Sequence, residues 1–147
     1  MVMPADRVTP IRLGEVFSGP AAADAEIPAG GIVMRKADGH LTHGAVATGA
    51  IGVGRAEVAV DNYGGADGDE QVPYRPGVFI FENSTSTDEI TLAEIGDLCW
   101  TVDHETVAKT DGSGTRSPAG VVVNVDDLGV WVRFDEALTA AYAAATA

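Results

Sequence analysis

From Gly30 to Phe134 the apolar residues come in short runs, each closed off by a turn built from Gly, Asp or Pro. The densest stretch is Ile95–Phe134, a series of short alternating segments stitched by Gly/Asp turns. Runs this short, alternating at a period of two, suit strands and leave little room for the 3.6-residue period of helices. Eighteen glycines and seven prolines add to the turn-rich character. At 147 residues the chain suits one domain with a real core.

Individual strands can be placed. Gly31–Lys36 ends at Ala37-Asp-Gly-His40, where Asp-Gly is a hairpin signal. Ala50–Val60 follows, and its small residues beside Ile51 and Val53 fit a strand that another segment approaches closely. Asp61–Glu70 is a loop by composition. Gln71–Arg75 and Gly77–Glu82 read as a strand pair around Pro76-Gly77, with Pro73 pushing the first toward an edge. In the next strand Leu98, Trp100 and Val102 alternate with Cys99 and Thr101, so the larger set is expected to face the core. Thr106–Lys109 is its short partner. Ala119–Val125 pairs with Gly129–Phe134 across an Asp-rich turn; Val130, Val132 and Phe134 share one face there, Trp131 and Arg133 the other. The tail from Asp135 reads as a helix, acids at its positive end. Before Gly30, four prolines (Pro4, Pro10, Pro20, Pro28) favour extended backbone, giving an arm or an edge strand over residues 1–28 and one β-rich domain over 29–147. The expectation is a mainly β protein: a compact barrel or sandwich of short antiparallel strands, an extended N-terminal arm and a short C-terminal helix.

Charge narrows the partners. Acids number 22 against 9 bases, a formal −13, and residues 1–36 are neutral, leaving 18 acids against 5 bases over 37–147. Such a body repels phosphate backbones, so direct nucleic-acid binding is not expected. Only Lys36 and Lys109 are lysines, an acidic, Lys-poor composition that resembles proteins of salt-loving organisms and equally fits an ordinary acidic surface from a GC-rich genome. No apolar run approaches the ~20 residues of a bilayer span, and the first residues lack the apolar core of a signal peptide. A soluble protein made in a cytoplasm is expected.

Catalytic patterns are sparse. Cys99 with His104 could be imagined as nucleophile and base, yet a lone cysteine beside Trp100 in a strand reads as a buried small hydrophobe. His40 and His43 lie three apart with no third ligand nearby in the sequence, which suits solvated turn histidines. Asp61-Asn62 with Asp67, Asp69 and Glu70 could wrap a hard cation, but the spacing is not that of an EF-hand and turn-forming Asp and Gly explain it. Gly49–Gly54 lacks the order of a nucleotide loop, and no Gly-x-Ser-x-Gly or Walker pattern occurs. No enzyme, cofactor or metal is therefore expected. Exposed binding surface remains: Tyr74, Arg75, Trp131 and Arg133 are of the types enriched at interface hot spots.

The order of several segments resembles the small capsid decoration (head cement) proteins of tailed viruses of bacteria and archaea. Ala25–Met34 is similar to that family's Ile-Pro-Ala-Gly element and following strand, Ala50–Gly54 to its hydrophobic-Gly-Val strand, Arg75–Phe79 to its Gly-Val-Phe strand, and Ile95–Phe134 to its C-terminal half. Residues ~20–134 are covered in order, whereas the N-terminal segment and the Ala-rich tail depart from it. The resemblance implies a virion structural protein, no catalysis, and binding as trimers to the major capsid protein on the outer face of an icosahedral head. It implies no membrane and no cofactor. An arm carrying Val8, Ile11, Leu13, Val16 and Phe17 could add a strand to a shell edge, with Tyr74, Arg75, Trp131 and Arg133 as further subunit or shell contacts. Three alternatives stay open: a receptor-binding or fibre-like module of the same virion, a small cysteine-dependent enzyme, and a calcium-dependent surface protein using the Asp61–Glu70 loop.

Overall fold

The computed structural model describes residues 5–12 and 14–147. The strands before the long acidic loop are β1 (Phe17–Pro20), β2 (Glu26–Ile27), β3 (Ile32–Arg35), β4 (Leu41–His43), β5 (Ile51–Ala56) and β6 (Val60–Asp61). After it come β7 (Gln71–Arg75), β8 (Gly77–Asn83), β9 (Leu98–Thr101), β10 (Thr106–Ala108), β11 (Pro118–Asp126) and β12 (Gly129–Phe134), then the helix α1 (Glu136–Thr146). Sequence and structure agree on the class: mainly β, short antiparallel strands, a barrel and one C-terminal helix.

Two sheets carry the fold. One is a closed barrel in the order β10-β8-β12-β11-β9, antiparallel except for the β10–β8 pair. The other runs β1-β7-β5-β3-β4, and a bridge between Ala21 and Leu41 brings its two edges together just past the end of β1. Register shifts at Val33/Met34, Pro118/Gly120 and Val122/Asn124 supply the extra bend that such tight curvature needs. The Asp-Gly turn joins β3 to β4 as expected, the Asp38 side chain accepting from the His40 amide. The β11–β12 hairpin also forms where the sequence placed it.

Each sheet wraps its own core, and the cores share a wall. Val33 on β3 belongs with Ile27, Leu41, Val53, Val72 and Tyr74, whereas its neighbours Ile32 and Met34 point into the barrel core with Phe81, Cys99, Val107, Val122, Val130, Val132 and Phe134. Strand β3 is therefore buried on both faces. Strand β5 completes the wall by having almost no side chain on the barrel side: a Cβ on Gly52 would sit 2.1 Å from the Ala119 carbonyl oxygen of β11. The close approach read from the small residues of this strand is that contact. Helix α1, whose first turn is capped by the Asp135 carboxylate accepting from the Leu138 amide, packs on β5, β9 and β11 with Thr139 fully buried.

Three expectations are corrected. β7 and β8 do not pair with each other: β7 lies between β1 and β5, and β8 between β12 and β10, so the chain changes sheets at Pro76. Gly77, at φ +134°, adopts the left-handed backbone that this crossing requires. Nor does Pro73 mark an edge. The last β5–β7 pair is Ala56 with Tyr74, so the donor that proline lacks falls where the ladder has ended, and the Pro73 carbonyl accepts from Glu57. In β9 the smaller set faces the barrel interior: Cys99 lies in the barrel core and Thr101 is fully buried, whereas of the larger set Leu98 is buried outside that cluster and Trp100 is only half-buried. A five-stranded barrel has a narrow interior, and Cys99, Ala119 and valines fill it where a tryptophan would not fit. In the N-terminal region Phe17–Pro20 form edge strand β1, and Ala21, Ala22, Ala25 and Ile27 lie in the first core.

Candidate interaction surface

Residues 5–12 have no regular structure and are exposed throughout. Val8 is 93% exposed and Ile11 77%, while Val16, nearer the body, is 45% exposed. Leu13 lies outside the described residues. Phe17 behaves differently from the others: its ring packs against the first core, 6.1 Å from that of Tyr74. Between the exposed segment and β1 sits a charged anchor. The Arg75 guanidinium donates to the Glu15 carboxylate and, at 2.8 Å, to Glu57, which Arg55 also reaches at 3.1 Å. Arg55 in turn stacks 4.4 Å above the Phe79 ring. Arg75 and then Arg55 hold the Glu57 carboxyl below its ordinary range, and Glu57 followed by Glu15 raises Arg75. Among the described residues, the N-terminal segment is thus tied to the body through Glu15 and is exposed over residues 5–12.

The four hot-spot candidates do not form one patch. Tyr74 is 8% exposed, its ring in the first core and its hydroxyl accepting from Arg35, so it offers no surface. Its alternation with the fully buried Val72 was the available signal. Arg75 is committed to the two carboxylates just described. Trp131 and Arg133 do share the outer face of β12, in the other sheet. The Trp131 indole N–H donates to Asp126 at 2.9 Å, and this bond is the chief cause of the lowered Asp126 pKa. Arg133 is exposed.

Residues weighed for chemistry are placed as follows. Cys99 is fully buried, its thiol directed at the Gly120 carbonyl, and burial pushes its pKa up to about 12. His104 sits exposed in the β9–β10 turn, and among the described residues no hydrogen bond joins it to Cys99. His43 Nδ1 accepts from the Glu26 amide at 3.3 Å, linking β4 to β2. In the acidic loop Asp61, Asp67 and Asp69 accept from the amides of Tyr63, Ala23 and Ala66, while the buried Asn62 side chain donates to Ala22 and Ala66. These carboxylates cap backbone donors, as turn-forming residues do. A ring nitrogen of His40 and one carboxylate oxygen each of Asp38 and Asp67 lie within 4.8 Å of one another.

Fold and surface together define a two-core β module with a tethered, exposed N-terminal segment. Comparison with protein-family models, curated proteins and solved structures finds no match to the chain.

Proposed function

We propose that the chain is a virion structural protein that binds the outer surface of an icosahedral capsid and stabilises it against the pressure of the packed genome. Its partner is the major capsid protein, engaged by a homotrimer, and it carries out no catalysis. The observation that supports this most is the contrast between a self-contained body and residues 5–12, which hold Val8 and Ile11 in solvent. A free chain gains nothing from that exposure; a chain that meets a shell buries it. An extended segment can add a strand to a capsid edge, taking affinity from main-chain hydrogen bonds and register from alternate side chains. Three such segments on one trimer multiply modest single contacts. The neutral segment faces the shell and the acidic body faces solvent, keeping decorated particles apart and away from DNA. The resemblance of residues ~20–134 to the decoration-protein order supports the same reading.

Co-sedimentation with undecorated capsids over a salt series tests it. Saturable binding in proportion to shell subunits, with heads that survive heating better, is the expected result. Capsids that leave the protein in the supernatant at every salt concentration overturn it.

A further inference from the structure

We infer that the outer face of the barrel over β8 and β12 is self-complementary and pairs face to face with a second copy of this chain across a two-fold axis. Phe79 and Phe81 of β8, with Val130, Val132 and Phe134 of β12, turn into the barrel. The alternate positions therefore face outward. They lie in three rows across the two strands. Val78 stands beside Arg133 in the first, and Ile80 beside Trp131 in the second. Phe81 pairs with Val130, so Glu82 stands beside Gly129 in the third, and Gly129 pairs on its other side with Asp126 of β11.

The end rows carry opposite charges, and neither is neutralised within the chain. Residues 37–147 hold five bases in a strongly acidic body. Arg55, Arg75, Lys109 and Arg116 each have a carboxylate within 3.8 Å. Among the described residues Arg133 alone has none, and the exposed Glu82 carboxylate meets no cation either. The two stand four residues apart along the strands, about 13 Å at ~3.3 Å per residue, with the apolar second row between them. Ile80 and Trp131 in that row are half-buried, and Val78 is 37% exposed. Trp and Arg side by side on apolar ground are the composition of an interface hot spot.

A second copy supplies what this face lacks. A two-fold axis perpendicular to the strands lays the first row of each copy on the third row of its partner, and the second row on itself. Arg133 then sits over Gly129, which has no side chain to obstruct it, between Glu82 and Asp126. Asp126 already accepts the Trp131 indole and the Leu128 amide, so Glu82 is the uncommitted acceptor. The charged pair forms twice, and Trp131 and Ile80 are buried on their counterparts, as an isologous contact requires. An axis along the strands would set Arg133 on Arg133 and Glu82 on Glu82, so charge selects the first arrangement. The contact is separate from the shell and from the three-fold assembly proposed above, and it joins whichever copies meet, single chains or members of neighbouring trimers.

Sedimentation velocity of the full chain over a concentration series, without capsids, tests this apart from the capsid reading. The wild-type mass is expected to rise with concentration to at least twice that of Arg133→Glu or Glu82→Arg. Each of these variants loses about tenfold or more in self-affinity, because one substitution acts at both symmetric pairs. Mixing the two variants is expected to restore association, since each then meets the opposite charge of the other at both pairs. Circular dichroism verifies folding, and Arg133→Gln, which removes the charge without reversing it, provides a milder variant with a severalfold loss. A wild-type mass equal to that of the variants at every concentration overturns the inference. So does association that neither substitution weakens, or a mixture no heavier than its components.

Discussion

Gly52 on β5 lies so close to Ala119 on β11 that no Cβ fits between them, and this contact joins the two cores of the molecule. The obstacle is a backbone carbonyl, which cannot rotate away as a side-chain tip can. Gly52→Ala is therefore expected to destabilise the protein by about 3 kcal/mol, the upper part of the range for overpacking. Urea unfolding followed by Trp fluorescence measures it; a midpoint within error of wild type would show that the wall yields easily.

Cys99 makes stability sensitive to alkaline pH. Its thiol is raised from an ordinary 9.0 to about 12 in the folded chain, so the folded state holds that proton more tightly than the unfolded state. The contribution is complete below about pH 9 and is lost as pH rises from there toward 12, at a slope approaching ~1.4 kcal/mol per pH unit. Cys99→Ala removes this part of the slope. Native protein is also expected to resist thiol reagents at pH 8 until denaturant is added; rapid labelling of the native form would contradict the burial.

The Arg75 anchor predicts the opposite dependence in acid. Glu57 is depressed from its ordinary 4.5 by Arg75 and Arg55, so its contribution is present above that value and lost as pH falls through the lower, folded one. Arg75→Ala is expected to flatten the acid limb of the stability curve. It also frees Glu15, so cleavage there by a Glu-specific protease should accelerate severalfold. An unchanged cleavage rate would mean that the anchor does not hold the segment.

Val8 and Ile11 separate folding from binding. Both are almost fully exposed, so Val8→Asp and Ile11→Asp should leave the melting temperature unchanged. Each is expected to weaken capsid co-sedimentation about tenfold, the scale of a single interface residue worth roughly 1.4 kcal/mol. Trp131→Ala with Arg133→Ala, on the other sheet, provides the comparison: a larger loss there would move the docking face to the barrel.

How much of this was legible in the sequence depends on the range of the interaction. The Asp38-Gly39 hairpin and the β11–β12 hairpin are local turn chemistry and could be read directly. So could a close approach to β5, since small residues such as Gly52 and Gly54 between Ile51 and Arg55 leave one face of the strand nearly bare. The partner of β7 could not be read, because whether Pro76-Gly77 reverses the chain or passes it to another sheet depends on what lies beside it. Side-chain size misleads in β9, where the width of a five-stranded barrel favours Cys99 over Trp100 on the inward face. That His40 lies near Asp67 could not be read either, because their segments come together through the backbone bonds of Ala22 and Ala23.

The Ala21–Leu41 bridge has one more consequence. A β sheet that ends in open strands presents unpaired amides and carbonyls on which further chains can grow. Here one sheet closes completely and the other draws its two margins together, leaving little ladder for a neighbouring molecule to extend. Among the described residues only the short β2–β6 pair keeps fully open edges, so edge-to-edge growth between copies of this chain is disfavoured.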